Sequence, residues 1–147
     1  MEKTRIRIFK ENDIILHEDE NHSEMFKILS GNVLLYFHYG KDDEYLVGAA
    51  GKNRVFGEFG LLTGKPELYT VVANDDVTAM AISEDELNDF LINNHNNARE
   101  IMNNMAKMCD VMKTNLNMLV DELSVISERD KRLITRINDK LMRYKLY

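Results

Sequence analysis

Apolar and polar residues alternate over short segments in the first 83 residues, as in Arg5-Ile6-Arg7-Ile8. This period of two predicts β-strands. We predict eight strands, near residues 5–9, 13–17, 25–30, 32–38, 45–50, 54–56, 69–73 and 77–82. All seven glycines and the only proline lie between residues 31 and 66, so the chain reverses often there. Many short strands with frequent turns predict a small antiparallel barrel or roll, and the spacing alone does not distinguish the two.

The pattern changes near residue 83, after which apolar residues recur every three or four positions. Ser83 followed by Glu86 predicts a capping box at the start of a short helix. This helix is expected to end in the polar cluster 93–97, and a long helix is expected from about Ala98 to Leu123. The second half of the chain is therefore predicted to be helical.

The apolar stripe of the long helix is wider than a coiled-coil seam. Its members are Ile101, Met102, Met105, Met108, Cys109, Met112, Leu116, Leu119, Val120 and Leu123. A stripe of this width fits two partners, the β unit on one side and an identical helix on the other. We therefore predict a symmetric homodimer through the 98–123 helix, with Cys109 as a buried thiol. The predicted divisions are a β unit at 1–97, the long helix at 98–125, and a hinge with a basic helix at 126–147.

Composition narrows the class of protein. Hydrophobic residues make up 44 % and charged residues 30 %, which is ordinary for a soluble domain. The apolar runs are too short to span a bilayer, and the first residues have no signal-peptide core. The single cysteine cannot form an internal disulfide. We expect a cytoplasmic protein that does not associate with membranes.

The net charge of −6 is unevenly distributed, since residues 128–147 carry +4 and the remainder −10. The basic segment is predicted to form a last helix that begins at an N-cap on Ser127. Its inward positions would be Leu133, Ile134, Ile137 and Leu141. Contact with nucleic acid is one interpretation, but charges that alternate in sign are more typical of a solvated helix face.

Residues with the spacing of metal ligands or catalytic groups do not stand out. No two of the four histidines have a spacing that would place two metal ligands together: His17, His22, His38 and His95. No nucleophile with a partnering base is evident either. We expect neither enzymatic activity nor a metal or other cofactor, apart from an unidentified small-molecule effector.

Residues 56–73 concentrate features of a ligand site. A strand ends at Phe56, and Gly57 permits close approach of a ligand to the backbone. A short helix from Glu58 would direct free amides toward an anion. The sequence Gly64-Lys65-Pro66 then forms a turn before the next strand. An ordinary corner between two strands would need fewer glycines.

This segment resembles the phosphate-binding cassette of cyclic-nucleotide-binding domains in Crp/Fnr-like (catabolite activator-like) regulators of bacteria. The shared pattern is Phe-Gly-Glu, an apolar and a small residue, Leu, a loop with Gly and Pro, and a Thr-Val strand ending in Ala. Residues 25–33 resemble the family's hairpin and residues 12–16 its opening turn, so the resemblance covers about residues 5–125. It implies an α+β fold: an antiparallel β-roll (double-stranded β-helix, jelly-roll-like), a long dimerisation helix and a short C-terminal helix.

The resemblance also implies roles for individual residues. Gly57 and the amides after it would cradle a cyclic phosphate, and Glu58 would accept a hydrogen bond from the ribose 2′-hydroxyl. The full implied ligand-binding set is Gly57, Glu58, Phe59, Gly60, Leu61, Lys65, Glu67, Tyr69, Thr70, Met105 and Met108.

The sequence departs from the family at two positions of the cassette. Glu67 stands where the family has its phosphate-pairing arginine, and the bulky Tyr69 stands where it has a small residue. Replacing a guanidinium by a carboxylate is a swing of roughly 3 kcal/mol, or about a hundredfold in affinity. Lys65 offers a point charge but not the bidentate fork of arginine. We therefore expect no cyclic AMP binding of the family's usual kind.

Two functions stay open at this stage. The first is a small-molecule effector-sensing domain of a transcription regulator, with DNA reached only through a helix-turn-helix domain absent from this chain. The chain would then be either a truncated regulator or a sensor that acts through another protein. The alternative is a ligand-free dimerisation or protein-interaction module that keeps only the fold.

Overall fold

The computed structural model describes residues 5–126 and 131–143, within which the chain forms eight strands and four helices. The strands are β1 (Arg5–Phe9), β2 (Ile14–Leu16), β3 (Glu24–Ser30), β4 (Val33–Phe37), β5 (Tyr45–Ala50), β6 (Val55–Phe56), β7 (Thr70–Ala73) and β8 (Val77–Ser83). The helices are α1 (Glu58–Thr63), α2 (Glu84–Asn93), α3 (His95–Ile126) and α4 (Lys131–Met142). Each predicted strand is present within two residues of its predicted ends.

The described strands form two antiparallel sheets of four, in the orders β1-β8-β3-β6 and β2-β7-β4-β5. Strands distant in sequence are neighbours, since β1 pairs with β8 and β2 with β7. This pairing rolls the chain so that its early and late strands lie side by side. The predicted α+β fold, an antiparallel β-roll followed by a long helix and a short helix, is confirmed.

Apolar side chains of both sheets form the core. Ile28, Val33 and Val71 are fully buried, and the rings of Phe26 and Phe56 stack with centroids 5.3 Å apart. A second cluster joins Met25, Val55, Ile82 and Ile101, so the first turns of α3 are packed against β3, β6 and β8. This cluster positions the segment that follows β6, which contains the candidate site.

Polar caps define where α2 and α3 begin. The carboxylate of Glu86 accepts hydrogen bonds of 2.9 Å from the backbone N–H and the hydroxyl of Ser83, so the predicted capping box is present. The side chain of Asn94 accepts a 3.0 Å bond from the N–H of Asn96, and its carbonyl accepts one of 2.9 Å from Asn97. Because Asn94 serves as this cap, α3 begins at His95 rather than at Ala98 as predicted.

The apolar stripe of α3 is buried only at its start. The described residues form two units that divide between Asn104 and Met105. Ile101 is buried, whereas exposed stripe residues include Met102, Met112, Leu116 and Leu119. Cys109 is also exposed, so the prediction of a buried thiol is wrong for the single chain. The described part of the chain does not supply the cover that this prediction assumed.

The last helix, α4, is confirmed at Lys131–Met142, while its predicted cap at Ser127 lies outside the described residues. Ile134 and Ile137 are half-buried and face a small hollow that Val120 and Leu123 also line. Leu133 and Leu141 are 40 % and 37 % exposed, so the prediction that they point inward is wrong. A contact with one helix buries a narrower stripe than the four positions predicted. The proposed division at 97 and 125 stays a prediction.

Candidate functional site

A left-handed glycine separates β6 from α1. Gly57 has φ 80° and precedes the first residue of α1. A Cβ at this position would lie 2.9 Å from the Leu16 side chain and 3.3 Å from the Glu24 carbonyl oxygen. Both the conformation and the space therefore require glycine, as the cassette interpretation expects. The helix ends after one and a half turns at Gly64, whose φ is 65°.

Glu58, the first residue of α1, is a buried carboxyl group that is 1 % exposed. Burial raises the pKa of Glu58, while its own backbone N–H and the side chain of Asn104 oppose that rise. Its Oε2 has no hydrogen-bond partner among the described residues. Asn104 also donates to the carbonyl of Val55 at 2.9 Å, which ties α3 to the end of β6. Glu58 is thus held inside the fold with one oxygen unsatisfied.

Glu67 is a second buried carboxyl group, also 1 % exposed. Its Oε1 accepts a 3.1 Å hydrogen bond from the backbone N–H of Gly60, in the first turn of α1. Its Oε2 has no partner among the described residues. The backbone of Glu67 is fixed by two 2.9 Å bonds, to the carbonyl of Glu20 and from the N–H of Asp19. The carboxyl group is therefore anchored over the start of α1.

The environment of Glu67 favours its protonated form. Burial raises its pKa to about 7, the Gly60 N–H opposes this, and the nearby charge of Glu58 adds to it. Lys65 does not compensate, because it is exposed and forms no ion pair within the described residues. The site thus holds two buried acids where the family pattern implies an acid and a base.

Two further residues of the predicted set lie where the chain enters β7. Thr70 is the first residue of this strand, and Tyr69 directly precedes it. Tyr69 is 4 % exposed, and burial beside Glu58 and Glu67 raises the pKa of its hydroxyl. Thr70 accepts a 3.1 Å hydrogen bond from the N–H of Glu18 through its hydroxyl oxygen. The large ring therefore takes up interior space, and the threonine hydroxyl closes the end of β2.

The structure brings together Gly57, Glu58, Gly60, Glu67 and Tyr69 of the predicted set. Phe59 and Leu61 are half-buried on α1, and Leu61 packs on the cluster around Met25. Met105 and Met108 are half-buried on α3 and belong to the second unit. Their predicted contact with a ligand stays a prediction, as do the ligand roles of the whole set.

Sequence reasoning missed two features of this region. Asn104, which contacts Glu58, is a polar residue of α3, and the apolar stripe that predicts this helix does not identify it. The hydrogen bond from Gly60 to Glu67 was also missed, although a carboxylate at the arginine position of a glycine-rich cassette is a usable signal. Among the described residues no group of three His, Cys, Asp or Glu could hold a metal ion. None of the described helices contains the extended apolar stretch that a membrane span requires.

Comparison with known proteins places this geometry in a family. Residues 6–94 match the model of the cyclic nucleotide-binding domain family, which is more than half of the chain. No curated protein matches the sequence.

Solved structures show the same fold. The chain is 20 % identical to the catabolite activator protein of Thermus thermophilus, covering 82 % of this chain and 55 % of that one with a TM-score of 0.59. It is 18 % identical to oxidized CprK in complex with o-chlorophenolacetic acid, covering 79 % of this chain and 48 % of that one (TM-score 0.61). It is 25 % identical to the regulatory subunit of a cAMP-independent protein kinase A from Trypanosoma brucei, covering 54 % and 28 % (TM-score 0.50). In each case the chain spans only part of the neighbour. With its roll, its glycine-bounded α1 and its family match, the chain belongs to the cyclic nucleotide-binding domain family.

Proposed function

We propose that this chain is a non-catalytic effector-sensing domain of the Crp/Fnr type whose cassette does not accept a cyclic phosphate in the usual way. One observation carries the proposal: the carboxyl group of Glu67 already holds the N–H of Gly60, in the helix turn that a phosphate would use. Glu67 thus acts as an internal substitute for the anion.

Electrostatics supports this interpretation. A phosphate entering the cassette would have to displace Glu67 or lie beside it. At pH 8, above the Glu67 pKa of about 7, a unit anion about 4 Å from the ionised carboxylate costs about 4 kcal/mol at an intermediate effective dielectric. Glu58 is already in its family position, so the second acid makes the site more repulsive still. Effectors that fit this site would donate hydrogen bonds to the unpartnered Oε2 atoms of Glu58 and Glu67.

Signal output is proposed to pass through a homodimer formed by α3. Ile101 ties the start of this helix to the core behind α1, while much of the apolar stripe beyond it is exposed. An uncovered apolar stripe of this length favours a partner helix, and twofold pairing covers both copies at once. An effector would shift the helix only if it bound one arrangement more tightly than another. We expect any DNA contact to come from a helix-turn-helix domain outside these residues. We expect the sensing domain itself to act in the cytoplasm.

A second candidate is a ligand-free dimerisation module. The observation that favours it is the packing of the corner, where Glu67 and Tyr69 are 1 % and 4 % exposed and take up the interior. Native mass spectrometry of the protein purified from cells separates the two candidates. A retained small molecule supports the sensor, and a mass equal to the bare polypeptide or its dimer, together with no hit in a thermal-shift ligand screen, supports the module.

The thermal-shift screen also tests the exclusion of cyclic nucleotides. A ligand present at a hundred times its Kd stabilises the fold by about 2.7 kcal/mol, which is easily seen as a higher Tm. Millimolar cyclic AMP and cyclic GMP are expected to leave the Tm unchanged at pH 8. A rise of several degrees at micromolar cyclic nucleotide would contradict the proposal.

A further inference from the structure

A cavity of about 580 Å³ lies among β3, β8, α2 and the first turn of α3, and it shares no residue with the cassette. This volume is within the range of sites for small organic ligands. Its apolar lining includes Leu29, Met80 and Phe90, and its polar lining includes several asparagine amides. The cavity thus combines an apolar surface with a small number of hydrogen-bonding groups.

Lys27 is the group that gives this cavity its chemistry. Its ammonium group donates a 2.7 Å hydrogen bond to Oδ1 of Asn97 and lies 5.8 Å from the centroid of the Phe90 ring. No carboxylate of the described residues lies within ion-pair distance of it. An ammonium group has three N–H donors, and the described residues accept from only one of them. Two donors and a positive charge therefore remain for a bound group.

Asn97 holds this lysine in place. It is 6 % exposed, and both ends of its amide are used: Oδ1 accepts from Lys27, and Nδ2 donates to the carbonyl of Phe90 at 2.8 Å. A buried amide satisfied in this way restricts both the lysine and the end of α2. The ammonium group is therefore positioned in advance of any ligand.

The other charged groups at the cavity determine which anion fits. Arg5 is paired with Glu24 and Glu86, each at 2.7 Å, and Arg7 lies 3.5 Å from Glu24, so these two bases and two acids balance one another. Nε of Arg5 is a buried donor with no acceptor among the described residues. Asp89 is exposed at the lining and opposes an anion. One lysine against this acid favours a monoanion over a dianion such as phosphate.

We propose that this cavity binds a small organic monocarboxylate with an apolar body. Its carboxylate would accept hydrogen bonds from Lys27, and its apolar part would lie against Leu29, Met80 and Phe90. This site is separate from the cassette, so it does not depend on what the cassette binds.

The test is an NMR titration of the full chain with benzoate and hexanoate, compared with neutral benzamide and with inorganic phosphate. We expect saturable shifts of the Met80 methyl group and the Asn97 side-chain amide with the two carboxylates, and much weaker shifts with benzamide and phosphate. Lys27→Met keeps the apolar stem and removes the charge, so it should weaken carboxylate binding by at least about tenfold. Lys41→Met, at an exposed position, is the matched control and should leave binding unchanged.

A second variant keeps the test decisive if Lys27→Met does not fold. Asp89→Asn removes the opposing charge at an exposed position and should strengthen carboxylate binding by about two- to threefold. The proposal is overturned if carboxylates at concentrations on the order of 10 mM shift no resonance of the cavity residues. It is also overturned if benzamide binds as well as benzoate, or if neither variant changes the carboxylate affinity in the stated direction.

Discussion

Replacing Glu67 by glutamine isolates the charge of the carboxyl group at the centre of the cassette. Glutamine retains an oxygen that accepts from the N–H of Gly60, and it cannot ionise. The backbone bonds of Glu67 to Asp19 and Glu20 are unaffected by the change. The variant therefore tests electrostatics with little change in packing.

The pKa of Glu67 is about 7 in the folded chain, against an ordinary value of 4.5. Between these values the folded state keeps a proton that the unfolded state has released. The stability that this proton confers is full below about pH 4.5 and is lost as the pH rises through about 7. The difference of about 2.5 pKa units corresponds to about 3 kcal/mol of unfolding free energy.

The measurement is urea unfolding of both proteins between pH 5 and pH 8. Wild type should lose stability across this range, and Glu67→Gln should match it near pH 5 and exceed it by up to about 3 kcal/mol at pH 8. Glu58, whose pKa is also raised, leaves a smaller decline in the variant. Carboxyl groups with a lowered pKa, such as Glu86 at about 2, titrate below this window and do not interfere. The reasoning is refuted if wild-type stability is flat or rises from pH 5 to pH 8, or if the two curves run parallel.

Three further predictions concern the packing of the cassette, the dimer and the last helix. A Cβ at Gly60 would collide with the Glu67 carboxyl group, so Gly60→Ala should lower the free energy of unfolding by about 1–3 kcal/mol. In a Glu67→Ala background the same substitution should be neutral or stabilising. Urea unfolding measures both effects, and equal losses in the two backgrounds would show that this contact is not responsible. Met108→Glu should convert a dimer to a monomer in sedimentation at micromolar concentration, and an unchanged mass, or a wild-type monomer, would exclude pairing through α3. The chain should show no preference for one duplex over random competitor in a mobility-shift assay at about 150 mM salt, since one basic helix offers few phosphate contacts; a sequence preference would mean that α4 reads bases.

The positions of the strands were predictable because alternation and turn residues act locally. Arg5-Ile6-Arg7-Ile8 forms β1, and Ser83 with Glu86 forms a capping box, since both signals depend on residues within a few positions. The start of α3 was misplaced because an asparagine cluster is a weak local signal, and Asn94 serves two helices at once. Local pattern therefore predicts elements better than their ends.

The cassette was partly predictable for a similar reason. Gly57 and the helix after it follow from spacing, but the burial of Glu67 follows from tertiary packing that no short pattern contains. Lys65, two residues before Glu67, offers a point charge in the sequence and lies exposed in the structure. The backbone of Glu67 is held by hydrogen bonds to Asp19 and Glu20, nearly fifty residues earlier in the chain, and a short sequence pattern does not contain such a contact.

The most direct test of the account is calorimetry of cyclic AMP with wild type and with Glu67→Arg. Glu11→Arg, at an exposed position, makes the same change in charge and serves as the matched control. We expect no measurable heat for wild type and Glu11→Arg. We expect measurable heat for Glu67→Arg, because a swing of roughly 3 kcal/mol lowers its Kd about a hundredfold relative to that of wild type. Tight binding by wild type would contradict the claim that Glu67 closes the cassette, and so would a folded Glu67→Arg that produces no heat.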